Sequence, residues 1–81
     1  MSMEIYPMSK VNLSSSVKNY LYLYIRSLEQ TGNMKLPPES ELSLKLGVSR
    51  VTVRRALDEL ENEGIILRIQ GRGTFANPEA L

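Results

Sequence analysis

The sequence predicts a mainly α-helical domain that is closed by a small antiparallel β-hairpin. Three observations support this prediction. Apolar residues recur at helical spacing in three segments between residues 14 and 63. The second and third segments are separated by only three residues, and an alternating strand pattern begins after Gly64. We therefore expect three helices followed by a hairpin of two or three strands.

Length and composition exclude several classes of protein. The 81 residues suit one domain with a small core. The absence of Cys and His excludes disulfides, Cys/His metal sites and catalysis by a thiol or imidazole, so we expect no metal, no cofactor and no enzymatic activity. The net charge is only +1, so an anionic partner would have to be bound by locally clustered cations. With no apolar run of about 20 residues and no signal peptide, the expected location is the cytoplasm, away from membranes.

The first helix is expected to follow a loose N-terminal arm, residues 1–13. The arm lacks periodicity, whereas the serines at 14–16 are candidate N-cap residues and an apolar stripe follows them. We assign Tyr20 and Tyr24 to the core rather than to a stacking role, and expect Tyr22 and Leu23 to be exposed.

The second helix is expected to begin after Pro37 and Pro38, which a helix tolerates only at its start. Gly47 is placed to end it in a left-handed conformation, and Ser49 is a good N-cap for the next helix. Helix, three-residue turn, helix is the result.

The third helix is expected to bury one narrow sector and to end at Gly64. Ile65, Leu67 and Ile69 then alternate with their neighbours, as in a strand with one buried face. A turn at 70–73 leads to a returning strand at 74–76, and a third, very short strand is expected at 34–36. Residues 77–81 are read as a tail or the start of a linker. The sector predicted to face the core contains Val53, Ala56, Leu57 and Leu60.

The charges of the third helix run against its dipole. Arginines cluster near its start and carboxylates near its end, each misplacement forgoing about 0.3–1 kcal/mol. An Arg54–Asp58 pair on a solvated face is the simplest structural explanation, but it is worth only a few tenths of a kcal/mol. A polyanion that contacts only the basic turns explains the pattern better. We therefore interpret this segment as the recognition helix of a helix-turn-helix that binds duplex DNA.

The candidate contacts lie on two segments. Arginine forks at the helix start suit phosphate or guanine, and the hydroxyls of Ser49 and Thr52 suit phosphate, while Val51 is either a plain surface valine or a contact for a thymine methyl. The Gly-Arg-Gly turn is either a plain hairpin tip or a wing that approaches the sugar-phosphate backbone. The predicted DNA-binding residues are Ser49, Arg50, Val51, Thr52, Arg54, Arg55, Gln70, Gly71, Arg72, Gly73 and Thr74.

These segments resemble the DNA-binding domain of the GntR transcriptional regulators. The similarity runs from about residue 13 to 76 and is densest at 36–42, 46–57, 60–66 and 70–75. It implies a winged helix-turn-helix, residues 14–76, that binds operator DNA with helix 49–63 in the major groove and wing 70–74 at the minor groove. The run 50–57 looks most like the HutC-like branch. By resemblance, the protein is a bacterial-type regulator that represses transcription until a small effector intervenes.

The resemblance also implies roles for single residues. Arg50 and Arg54 stand where the family's arginines touch bases and phosphates, Thr52 where a threonine meets phosphate, and Gly71 where the wing enters. Two other positions depart from the family pattern. Ser40 replaces an arginine that commonly contacts DNA, and Pro38 replaces the usual N-cap serine.

The expected partner is therefore a double-stranded DNA operator. Family members carry a C-terminal effector and dimerisation domain, so we expect a homodimer in a full-length protein. The present chain is expected to be an excised DNA-binding domain, monomeric in isolation, rather than a natural short protein. The alternative is a winged-helix protein-interaction module that uses Tyr22, Leu23 and the wing as its contact surface.

Overall fold

The computed structural model describes residues 13–80, so the expected arm at 1–13, apart from Leu13, and the last residue lie outside the described residues. Five elements and a short 3₁₀ turn follow in order. No helix in this part of the chain is long and apolar enough to cross a membrane. The elements are α1 (Leu13–Leu28), α2 (Glu39–Leu46), α3 (Arg50–Asn62), β1 (Ile66–Ile69), β2 (Gly73–Ala76) and the 3₁₀ turn Pro78–Ala80.

Helix α1 is present as predicted, but its start differs from the prediction. It spans Leu13–Leu28, so the serines at 14–16 lie inside the helix and none is its N-cap. Ser14 is instead buried beside the apolar stripe. The buried stripe of α1 consists of Val17, Leu21, Ile25 and Leu28.

The assignment of Tyr20 to the core is wrong. Tyr20 is 36% exposed, and its ring stacks on Tyr24 with centroids 6.3 Å apart and planes 9° apart. Tyr24 is partly buried against the core, and the Lys45 ammonium lies 5.9 Å from its ring centroid. Tyr22, expected to be exposed, is partly buried. The buried stripe of α1 is thus narrower than the apolar pattern of its sequence. Aliphatic side chains fill the sector that faces α3, and the tyrosines lie at its margin.

The turn between α2 and α3 has the predicted geometry. Pro38 is the N-cap of α2 and supplies no side-chain hydrogen bond. Gly47 has a φ of 69°, and its N–H donates to Ser43 O at 2.9 Å. The Ser43 hydroxyl also donates to Val48 O at 2.6 Å, and Ser49 caps α3. The left-handed glycine lets α2 end abruptly, which sets the direction of α3.

The core lies where α3 packs against α1, α2 and β1. The four α3 residues predicted to face inward are all buried. Leu36, Leu42, Ile66 and Ala76 complete the cluster from the other elements.

The hairpin has the predicted strands but the opposite buried face. Ile66 is only 1% exposed, whereas Leu67 and Ile69 are 42% and 44% exposed. The α3 terminus explains the difference, because Ile65 N–H donates to Leu60 O at 2.9 Å and Gly64 has a φ of 76°. This hydrogen bond keeps Ile65 in the C-terminal turn that ends α3, so β1 begins at Ile66, one residue later than predicted. A shift of one residue exchanges the two faces of a strand.

A third, very short strand joins β2 as expected. Lys35 pairs with Phe75 in a single antiparallel bridge. Leu36 N–H donates to Thr74 O at 2.9 Å, and Ala76 N–H donates to Met34 O at 2.7 Å. The bridge ties the segment before α2 to the hairpin.

Truncating a buried residue of α1 should destabilise the domain far more than truncating an exposed one. We expect Leu21→Ala, at a fully buried position, to lower the free energy of unfolding by about 2–5 kcal/mol. Leu23→Ala, on the same helix at a position 59% exposed, should change it by no more than about 0.5 kcal/mol. Urea unfolding followed by circular dichroism measures both. Equal losses would contradict the packing described here.

Candidate nucleic-acid interface

The first turn of α3 is held by its own cap. Thr52 N–H donates to Ser49 Oγ at 3.1 Å, and the two hydroxyls share a hydrogen bond of 3.0 Å. Both hydroxyl oxygens therefore have a local partner, although each oxygen keeps acceptor or donor capacity for a further group. Their first role is to stabilise the helix start.

Three side chains of the first turns of α3 point into solvent. Val51 is 58% exposed, and Arg50 and Arg55 are exposed as well. Within residues 13–80, neither arginine forms an ion pair or a side-chain hydrogen bond. Their guanidinium groups are available to an anionic ligand.

Arg54 is bound to Glu39, not to Asp58. Arg54 Nε donates to Glu39 Oε2 and Arg54 Nη2 donates to Glu39 Oε1, both at 3.1 Å. The hydrogen bond to Arg54 holds the pKa of the Glu39 carboxyl below its usual range, and the same bond raises the pKa of Arg54. The Arg54–Asp58 ion pair, the alternative that we weighed against DNA binding, does not form among the described residues. Tertiary contact with α2 brings a bidentate partner to Arg54, and a bidentate pair adds geometric specificity as well as energy.

The carboxylates at the end of α3 are paired with cations from two other elements. Arg68 Nη1 on β1 lies 2.6 Å from Asp58 Oδ1 and 3.3 Å from Glu61 Oε1. Arg68 can reach these carboxylates because it lies on the same face of β1 as the buried Ile66, the face that packs against α3.

Lys18 performs the same role from α1. Its ammonium pairs with Glu63 and lies 3.4 Å from Glu59 Oε1. The hydrogen bond to Glu63 raises the pKa of Lys18. The reversed charges of α3 are thus offset at the acidic end inside the protein, which corrects the expectation that an external polyanion alone explains them. At the basic end, Arg50 and Arg55 remain without an ion-pair partner among the described residues, whereas Arg54 is held by Glu39.

The wing consists of the turn that joins β1 to β2. Arg72 N–H donates to Ile69 O at 2.9 Å, and Gly71 adopts a φ of 81°, which makes the turn tight. Gln70, Gly71, Arg72 and Gly73 are exposed, whereas Thr74 is partly buried. No side-chain hydrogen bond or ion pair joins residues 70–72 to α3 in the described chain. The wing tip is a second, separate surface.

Lys35 is a cation of this surface that the sequence analysis missed. A Cβ added at Gly73 would lie 3.1 Å from Lys35 Cε, so the lysine stem crosses the base of the wing at the glycine. Lys35 is exposed and forms no ion pair within residues 13–80. A short third strand at 34–36 was predicted without a pairing partner; in the structure Lys35 lies opposite Phe75, and that pairing would have identified the lysine.

The described residues offer little to other kinds of site. They contain no group of three or more His, Cys, Asp or Glu side chains placed to hold a metal ion. An open cavity of about 340 Å³ lies between α1 and the acidic end of α3. Its polar lining includes Lys18 and Glu63, which neutralise each other.

Comparison with protein families identifies the class of this domain. The family model described as "Bacterial regulatory proteins, gntR family" matches residues 13–76. The HTH-type transcriptional repressor NagR of Bacillus subtilis is 39% identical over 75 residues, which cover 93% of this chain and 31% of the relative. The histidine utilization repressor of Pseudomonas aeruginosa is 43% identical over 63 residues, covering 78% and 25%. The chain thus spans less than a third of the length of these relatives.

Solved structures show the same winged-helix fold. The DNA-binding domain of AraR in complex with operator ORX1 has a TM-score of 0.71 and 29% identity, covering 94% of this chain and 92% of that one. A GntR-family regulator from Listeria monocytogenes has a TM-score of 0.71 and 26% identity, covering 94% and 62%. The expected architecture of three helices and an antiparallel wing is confirmed.

Proposed function

The chain belongs to the gntR family of bacterial regulatory proteins, and from this premise we propose how it reads operator DNA and what larger protein it serves. As a winged-helix DNA-binding domain, it presents α3 to the major groove and the wing to the minor groove. The observation that carries this proposal is the distribution of unpaired cations. Among the described residues of α3 and the wing, the arginines without an ion pair are Arg50, Arg55 and Arg72.

The first turns of α3 supply both kinds of contact. Arg50 and Arg55 are exposed and have no ion-pair partner within residues 13–80, so they suit phosphate oxygens beside the groove. Arg54 is oriented by Glu39, and an oriented fork suits the O6 and N7 atoms of guanine. Val51 is exposed at the groove mouth, where an apolar side chain can contact a thymine methyl.

Phosphate contacts complete the site. Ser49 and Thr52 retain hydrogen-bonding capacity beyond their mutual bond and lie at a helix N-terminus, which favours anions. The wing residues 70–74 approach the backbone at the minor groove, with Gly71 and Gly73 permitting close approach and Arg72 and Lys35 supplying charge.

The regulatory context is proposed from the relatives. NagR and the histidine utilization repressor are named as repressors, so we propose repression as the output of this domain. In a longer protein, an effector-binding and dimerising region would follow residues 77–81 and place two copies on a symmetric operator. A bacterial operator lies in the cytoplasm, which is therefore the proposed location.

A protein-interaction module is the weaker alternative. Its proposed anchor Tyr22 is partly buried, with the Arg26 guanidinium 6.0 Å from its ring centroid. The α3 face presents arginines rather than apolar anchors.

Binding to duplex DNA should depend steeply on salt. Four cations of the proposed interface have no ion-pair partner within residues 13–80 and could neutralise about four phosphates: Lys35, Arg50, Arg55 and Arg72. A plot of log K against log salt concentration should therefore have a slope of about −3.6. Fluorescence anisotropy on a duplex selected from a random pool, with the chain at high concentration, measures the slope. Binding that is absent or insensitive to salt on every duplex would refute the proposed function.

Arg54 and Arg72 should differ in what they contribute. Arg54→Ala should weaken binding to the selected duplex by about 5- to 150-fold and relax preference at one base pair. Arg72→Ala should weaken selected and random duplexes alike and reduce the steepness of the salt slope by about 0.9. Titrations of both variants on both duplexes measure this. Parallel losses for the two variants would contradict the assignment of base reading to Arg54.

Arg50 should matter for binding and not for folding. Arg50→Glu places an anion at the N-terminus of α3 and should change the free energy of unfolding by no more than about 0.5 kcal/mol. DNA binding should fall at least about tenfold, because phosphate now meets an anion. Arg50→Gln, which removes the charge without inverting it, should fall between parent and Arg50→Glu. Urea unfolding of each variant is measured beside its DNA titration. If Arg50→Glu has a markedly lower free energy of unfolding than the parent chain, Arg50 is a structural residue and the prediction is wrong.

A further inference from the structure

We propose that Glu39 is a positioning residue for base recognition: it holds the Arg54 guanidinium so that one defined edge faces the DNA, and thereby sets the selectivity of the domain. This inference rests on the proposed function. It concerns a carboxylate at the start of α2, a position that neither the charge pattern nor the predicted contact residues single out.

The geometry leaves the correct edge of Arg54 available. A guanidinium has five N–H donors in a rigid plane. Glu39 accepts from Nε and from one Nη2 hydrogen, so three donors remain, two on Nη1 and one on Nη2. Nη1 and Nη2 form the outer edge of the plane, and that edge can donate to guanine O6 and N7 together. The carboxylate therefore orients the fork without occupying the edge that reads a base.

The same contact prepares Arg54 before DNA arrives. An unrestrained arginine explores many rotamers and loses that freedom on binding. The Arg54 side chain is 54% exposed, and its side-chain hydrogen bonds within residues 13–80 go to Glu39, which is therefore its main restraint. The lowered pKa of Glu39 agrees with a carboxylate that stays ionised and paired at neutral pH.

The carboxylate has an opposite effect on affinity that makes the proposal testable. A negative charge beside the groove repels phosphate, so Glu39 weakens binding to every duplex equally. Its orienting effect strengthens binding only where Arg54 meets its preferred base pair. Removing the charge should therefore lower selectivity while leaving binding to random DNA unchanged or tighter.

The experiment compares Glu39→Gln with Glu41→Gln on the full 81-residue chain. Both acids lie in the first turn of α2, and both substitutions remove one negative charge near its N-terminus. Glu41 is exposed and forms no ion pair among residues 13–80. The readout is the ratio of dissociation constants for a scrambled duplex and for the duplex that the parent chain selects, with thermal melts of both variants.

We expect Glu39→Gln to reduce this selectivity ratio about tenfold, with the loss confined to the base pair at which Arg54→Ala relaxes preference. Glu41→Gln should leave the ratio unchanged. In the Arg54→Ala background, Glu39→Gln should have no further effect on the ratio, because Glu39 acts only through Arg54.

Two results would overturn the proposal. An unchanged ratio in Glu39→Gln would show that Arg54 needs no positioning by Glu39, and a rise of both dissociation constants by the same factor would mark a structural role for Glu39. A raised ratio would show that Glu39 holds Arg54 away from DNA. In each case the parent chain still selects a duplex, so the proposed function stands; a parent chain that selects none would overturn both.

Discussion

Helix α3 is the element on which the whole domain depends, because every other helix and β1 pack against it. Its buried sector is one narrow stripe of four residues, all at most 2% exposed. With α1, α2 and β1 gathered around that stripe, the N-terminal side of the helix is left uncovered. The same packing that stabilises a small domain thus leaves its first turns projecting, which is the shape that a major groove accepts.

Ion pairs around α3 then decide which of its charges remain available. The acids near its end are bound by Lys18 from α1 and Arg68 from β1, and Arg54 is bound by Glu39 from α2. Each pair is solvent-accessible and contributes little to stability by itself. Their larger effect is on the surface field, since the acidic end is neutralised while Arg50 and Arg55 stay unpaired in the described chain. The net effect is that unpaired positive charge remains only near the N-terminus of α3 among the described residues of this helix.

Features decided by neighbouring residues follow from the sequence, whereas features that depend on a distant partner do not. Gly47 and Ser49 have their predicted geometry because left-handed glycine and serine caps are decided within a few residues. The four core residues of α3 follow from spacing alone. Tyr20 was misplaced because periodicity predicts a face and not how wide a face the neighbouring helix covers.

The hairpin and the ion pairs show the same limit. The buried face of β1 is set by one residue of helix wrap at Gly64, a detail that an alternating pattern of isoleucines and leucines cannot reveal. The sequence shows only Asp58 as an acidic neighbour one turn from Arg54, whereas the partner in the structure, Glu39, is 15 residues away. Lys35 was overlooked because its charge reaches the wing only through the third strand.

The sequence by itself determined the class of fold, the order of its elements and the segments proposed to meet DNA, since helix stops, caps, apolar spacing and the glycine-flanked turn are properties of short stretches of chain. The tertiary structure alone decided which arginines remain free, which one is held by a carboxylate, and which strand face is buried. Those choices depend on distances between residues remote in sequence, and such distances exist only once α1, α2 and β1 have closed around α3.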